Sequence, residues 1–140
     1  MGNIQNIRYA NFEDIQTVIN NTNMYLLINT LSENEQHCLI ENTVSINKEE
    51  GIINTLIKTN LNKHIVIYGK NCNDTSIEIK YKQLYNLGFR NLLIYKGGLF
   101  EWLLLQDIYG SELFPTNKKE NDLLQYKSNS ILNIQLIEYT

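Results

Sequence analysis

The chain has 140 residues, 43% hydrophobic and 19% charged, with a formal net charge of −3. Such a length suits one domain that buries about two thirds of its unfolded surface. The acidic balance, with no basic block or stripe, argues against nucleic acid and an anionic membrane as partners. The longest apolar run, Leu103-Leu104-Leu105, falls far short of the ~20 residues of a membrane span. The first fifteen residues carry neither a basic nor an apolar region of a secretory leader. Gly2 is followed by Asn6 where myristoylation needs Ser or Thr. A cytoplasmic location is therefore expected, with Cys38 and Cys72 as free thiols.

In chain order, residues 4–8 read as a short strand. Asn11 caps a helix that carries Phe12, Ile15, Val18 and Ile19 on one face. The run Asn20-Asn21-Thr22-Asn23 breaks it, and residues 25–28 form a continuous apolar strand, as one covered on both sides would. Ser32 and Glu35 have capping-box spacing for a single helical turn. Residues 43–46 have β character. Residues 48–60 place Ile52, Ile53, Leu56 and Ile57 on one helical face. Residues 65–68 are the clearest buried strand. Thr75 and Glu78 form a second capping box, opening a helix with Ile77, Tyr81, Leu84 and Tyr85 inward and Gly88 at its end. Residues 92–95 are a strand, Gly97-Gly98 a turn, and residues 99–106 a helix before Gly110 and Pro115.

This alternation predicts an α/β domain with a mainly parallel central sheet flanked by helices on both faces. Ligands of such sheets lie beyond the carboxyl ends of the strands. The loop Gly69, Lys70, Asn71, Cys72, Asn73, Asp74, Thr75 occupies such an end. Residues 1–115 form the domain. Residues 116–140 begin polar and turn apolar at Ile131, Ile134, Leu136 and Ile137, as an extension packing on the domain or on a partner would.

Several stretches together resemble a rhodanese-like domain, a three-layer sandwich. They are Ile65-Val66-Ile67-Tyr68, Leu87-Gly88-Phe89, Asn91-Leu92-Leu93-Ile94-Tyr95 and Gly97-Gly98-Leu99-Phe100-Glu101-Trp102. More loosely, residues 25–30 resemble the family's L-I-D-V-R strand and residues 40–46 its I-P-G-A-I-N-I segment. The resemblance covers roughly residues 4–115. The extended run from Gly97 to Gly110 is similar to rhodanese-like sequences of large DNA viruses and AT-rich protists, which fits a chain rich in Asn, Ile, Lys and Tyr.

The resemblance implies an active loop C-x-x-G-x-R followed by Ser or Thr, in which the cysteine takes up a sulfane sulfur as a persulfide. A thiolate is needed, so loop amides, a helix N-terminus and the arginine surround it. In this chain the cysteine position is Gly69, the glycine position Cys72 and the arginine position Asp74, while Thr75 keeps the hydroxyl. Asn29 replaces the strand aspartate, no arginine follows at Thr30-Leu31, and Cys38-Leu39 stands where Gly-His is usual.

Loss of nucleophile, cation and carboxylate together points to a non-catalytic binding or regulatory module. Its partner would be a protein or a small-molecule ligand at the loop face. The alternative is a divergent sulfurtransferase or thiol-redox protein with Cys72 as the catalytic residue and Lys70 as its cation. Asp74 opposes this by raising a neighbouring thiol's pKa and repelling anionic donors such as thiosulfate, and it also suits the role of an N-cap or first-turn acid facing the helix dipole. A phosphatase loop C-x5-R fails, because Glu78 stands at the arginine position counted from Cys72. Cys38, Cys72, His37 and His64 lack metal-ligand spacing, so no metal and no cofactor are expected.

Overall fold

A computed structural model of the chain describes residues 6–132. Four strands, β1 (Arg8–Ala10), β2 (Tyr25–Asn29), β3 (His64–Tyr68) and β4 (Leu92–Tyr95), form one sheet in the order β1-β4-β3-β2. All pairings are parallel. The helices are α1 (Phe12–Ile19), α2 (Ile46–Thr59), α3 (Ser76–Leu87) and α4 (Gly98–Tyr109).

Strand alternation divides the interior into two cores. On β3, Ile65 and Ile67 join one apolar cluster, while Val66 and Tyr68 join the other. Likewise on β4, Leu92 and Ile94 face opposite to Leu93 and Tyr95. The first face is covered by Ile53 of α2 and by Ile77, Tyr81 and Leu84 of α3. The second is covered by Ile15, Val18 and Ile19 of α1 and by Leu99, Trp102 and Leu103 of α4. Both sides of the sheet are thus dry, which explains why its strands read as unbroken apolar runs. Trp102 is fully buried edge-on to Tyr95 and Phe114, and its Nε1 donates to the Pro115 carbonyl at 3.0 Å.

Several element boundaries differ from the sequence expectation. β1 is placed at Arg8–Ala10 rather than at residues 4–8, of which 4 and 5 lie outside the described residues. The β-type run at 43–46 is not a strand. Val44 makes one bond to β2, N–H to the Leu27 carbonyl at 2.9 Å, and the chain then turns so that Ser45 caps α2. The turn at Glu33–Glu35 is a 3₁₀ helix in which the Ser32 hydroxyl binds the Glu35 carboxylate at 3.0 Å instead of a backbone amide. Asn11 caps α1 reciprocally with Asp14, both bonds at 2.9 Å. α3 ends at Gly88 with φ +113°, as its glycine predicted. No helix among the described residues is long and apolar enough to cross a membrane.

Candidate functional site

The carboxyl ends of β2 and β3 meet where Asn29 pairs with Tyr68. From Tyr68 the chain enters the loop of residues 69–75 and then α3. Two backbone bonds pin this loop to the start of α4: Leu99 N–H to the Gly69 carbonyl at 2.9 Å and Phe100 N–H to the Lys70 carbonyl at 3.0 Å. The contact demands glycine at position 98. Its φ is +70°, and a Cβ there would stand 2.7 Å from the Gly69 carbonyl oxygen and 3.0 Å from the Asn71 nitrogen. The Gly97-Gly98 pair is therefore a docking point for the loop, beyond the turn expected from sequence.

Asp74 organises the loop from inside. Its Oδ2 accepts the Lys70 amide at 2.9 Å, and its Oδ1 accepts the Ser76 amide at 3.0 Å and the Ser76 hydroxyl at 2.5 Å. Thr75, the expected cap of α3, makes no side-chain cap bond. The capping oxygen comes from the preceding acid, which also suits the positive end of the helix. Gly69 is packed against the same carboxylate. A Cβ at position 69 would lie 2.5 Å from Asp74 Oδ2 and 2.7 Å from Ile77 Cγ1. The space that a nucleophilic side chain at this position would need is thus already filled.

Other loop groups are turned inward as well. Asn71 is buried; its Oδ1 accepts the Asn73 amide at 2.9 Å and its Nδ2 donates to the Tyr126 carbonyl at 2.9 Å. Lys70 is the one cation within the loop, and its Nζ pairs with Glu35 at 2.6 Å. Burial works against ionisation of Glu35, but hydrogen bonds from Lys70 and Ser32 and the Lys70 charge hold its carboxyl below the usual range. Asn29 is nearly buried; its Oδ1 accepts the Leu31 amide at 2.9 Å and Gln36 Nε2 at 2.8 Å. Ser76 Oγ also meets Thr30 Oγ1 at 2.8 Å.

Cys72 stands apart from this. It is exposed, its Sγ lies 3.9 Å from Asn73 Oδ1, and it does not line the cleft beside the loop. That cleft, about 470 Å³, lies between the end of β2 (Thr30, Ser32, Glu35), the loop (Lys70, Asn71, Asn73, Asp74) and residues 127–129 with Ile131. Of the sequence-singled residues, the structure brings Lys70, Asn71, Asn73 and Asp74 together on its wall, leaves Cys72 outside, and buries Gly69 beneath Asp74. Among the described residues no group of three His, Cys, Asp or Glu side chains could hold a metal ion.

The course of the segment that leads to the third wall was not legible in the sequence. Residues 115–127 cross the loop side of the domain. Pro115 accepts the Glu41 amide at 3.1 Å, Thr116 bridges Ile40, and Asn117 exchanges two bonds of 2.9 Å with Leu39. Cys38 is fully buried beneath them, its thiol donating to the Lys118 carbonyl at 3.2 Å. Burial, reinforced by the Glu120 charge and opposed by a hydrogen bond with Thr116, pushes that thiol's pKa up. Tyr126 is fully buried in the core on the α1/α4 side. An isolated aromatic in a polar run, QYKS, was the sole hint.

This architecture defines an α/β domain whose parallel sheet carries a helix-initiating loop beyond the carboxyl end of β3. A family model for the rhodanese-like domain matches residues 12–105, and the chain belongs to that family. Its fold is similar to that of the Alr3790 protein from Anabaena sp., with TM-score 0.56, 17% identity, and 83% of this chain and 97% of that one covered. The single-domain sulfurtransferase RDL2 of Saccharomyces cerevisiae gives TM-score 0.52, 17% identity and coverage of 78% and 96%. Thiosulfate sulfurtransferase from Pseudomonas aeruginosa gives TM-score 0.56 and 14% identity over 71% of this chain but 19% of that one. No curated protein matches.

Proposed function

We propose that this rhodanese-like domain is catalytically inactive and serves as a binding or regulatory module, holding a protein or small ligand at its loop face. The observation that carries the reading is the Asp74 carboxylate. It takes the amide of Lys70 and the amide and hydroxyl of Ser76, and it fills the space where the side chain of residue 69 would project. An anionic sulfur donor would have to compete with this internal anion for donors that are already engaged. The loop cation gives the donor no help, because Glu35 neutralises it.

The cleft that remains is lined by hydroxyls, amides and charges of both signs, a surface suited to a hydrogen-bonding ligand rather than a compact anion. The alternative, a divergent sulfurtransferase on Cys72, has in its favour an exposed thiol within the loop. The two are separated by incubating the protein with thiosulfate and cyanide and following thiocyanate, together with mass spectrometry of the cysteines. The expected result is no thiocyanate above the protein-free background and no persulfide on Cys72. Sulfur transfer that disappears in Cys72→Ser would overturn the inactive reading.

A further inference from the structure

We propose that residues 116–127 are a releasable strap, hinged at one end and latched at the other, whose closure builds the loop cleft and seals Cys38. The inference concerns regulation of the ligand face proposed above and rests on that reading for its consequence; the strap geometry stands without it.

The two ends are held differently. At the hinge the chain pairs with residues 39–41 in strand fashion, through the Glu41 and Pro115 bond, the Ile40 and Thr116 bridge and the two bonds between Leu39 and Asn117. Gln106 of α4 adds bonds to the Phe114 carbonyl at 2.7 Å and to Thr116 Oγ1 at 3.1 Å. At the latch the enclosed Tyr126 and the partly buried Leu123 pack on the α1/α4 core. The Tyr126 side chain is enclosed, its carbonyl accepts Asn71 Nδ2 at 2.9 Å, and its hydroxyl lies 3.4 Å from His37 Nε2. His37 in turn meets Glu120 of the strap at 2.7 Å. Between the ends, Lys119, Asn121, Asp122, Leu124 and Gln125 are exposed. A span that buries little apolar surface between two anchors opens at lower free energy than the core opens.

Opening at the latch has three effects. It withdraws residues 127–129 from the cleft, it frees the Asn71 amide, and it uncovers Cys38 beneath the Lys118 carbonyl. A ligand in the cleft touches both the loop and residues 127–129, which the latch holds in place, so it favours the latched form. By linkage the ligand tightens the latch as much as the latch tightens the ligand.

Cys38 reports the strap, with the exposed Cys72 as internal standard. The full chain is treated with iodoacetamide under native conditions, and both sites are followed by mass spectrometry. Cys38 is expected to react at least about tenfold more slowly than Cys72, and Tyr126→Ala to raise the Cys38 rate by about tenfold or more with the Cys72 rate and the circular dichroism unchanged. Equal rates for the two cysteines in the parent chain overturn the proposal, as does a folded Tyr126→Ala in which Cys38 stays equally protected. Should Tyr126→Ala lose its fold, Asn71→Asp takes its place. It keeps the acceptor for Asn73 but turns the donor facing the Tyr126 carbonyl into an acceptor, so a faster Cys38 supports the strap and an unchanged one overturns it. A positive sulfur-transfer assay would sink the inactive reading while leaving this result intact.

Discussion

At position 69 a side chain and the Asp74 carboxylate compete for one volume. A cysteine placed there brings its Cβ to 2.5 Å from Asp74 Oδ2 and within 3 Å of two Ile77 carbons, Cγ1 at 2.7 Å and Cδ1 at 2.9 Å. Gly69→Cys should therefore destabilise the domain by about 1–3 kcal/mol, the range of overpacked cores. Asp74→Ala removes the capping oxygen of α3 and the bond to the Lys70 amide, and should cost about 1–2 kcal/mol. The double variant is relieved of the carboxylate clash but not of the Ile77 contacts. It should lose less than the sum of the singles, with a coupling of about 0.5–2 kcal/mol. Urea unfolding of the four proteins measures this cycle. Additive losses would mean that Asp74 does not occupy the space of a side chain at position 69, and the physical basis for the proposed inactivity would go with it.

At the scale of elements, two glycines make opposite predictions. Gly98 opens α4 in left-handed backbone and touches the loop of residues 69–75, so Gly98→Ala combines backbone strain with a backbone collision at the Gly69 carbonyl. A loss of more than about 1–2 kcal/mol is expected. Gly51 lies inside α2, and a Cβ there meets nothing within 4 Å. Gly51→Ala should stabilise by about 0.5–1 kcal/mol through helix propensity alone. Thermal melts of the two variants should move in opposite directions. A neutral Gly98→Ala would show that the loop does not dock on α4 as described.

The same contrast explains what could be read beforehand. Strands β2, β3 and β4 were legible because sheets covered on both faces give continuous apolar runs, and the Asn11 and Gly88 signals are local chemistry. The 43–46 run misled because three β-prone residues say nothing about whether a strand partner is free; here a helix cap claimed Ser45. Within the site, the types and spacing of the loop residues were legible. The position of Asp74 at the helix start marked it as a cap, as found; that its other oxygen turns in over Gly69 while Cys72 turns out was not legible, because it depends on contacts with Lys70 and Ile77 that spacing does not encode. The strap depends on partners about eighty residues away in sequence, such as Cys38 with Lys118, beyond the reach of any local pattern.

For the molecule as a whole, the titratable groups confine stability to a middle range of pH. Glu35 and Glu120 are held below their ordinary pKa. For Glu35 burial is the largest single influence and raises the value, but the Lys70 and Ser32 hydrogen bonds and the Lys70 charge together outweigh it; for Glu120 the Asp122 amide leads, followed by His37. Groups with depressed folded values stabilise above the unfolded pKa, about 4.3 for glutamate, and lose that contribution as pH falls below it. At the other end, burial raises Tyr68, Tyr95, Tyr126 and Tyr81, and Tyr95 is raised further by Glu101. Their unfolded forms release a proton near pH 10. Above that the unfolded state holds fewer protons than the folded one, so stability falls with rising pH.

Tyr68 contributes to this alkaline limb alongside Tyr95 and Tyr126. It is fully buried, and it must donate to Thr43 Oγ1 at 2.7 Å because that hydroxyl already donates to the Ile40 carbonyl at 2.6 Å. Its phenolate would leave that acceptor without a donor. Each pH unit above about 10 should then remove up to about 1.4 kcal/mol through this one group. Tyr68→Phe should be less stable near neutrality by about 1–2 kcal/mol for the lost bonds, yet fall less steeply between pH 10 and 11. Urea midpoints across that interval test both halves. Equal slopes for the two proteins would mean that the Tyr68 hydroxyl reaches water, and the close seat of residues 40–43 at the mouth of the site would have to be abandoned.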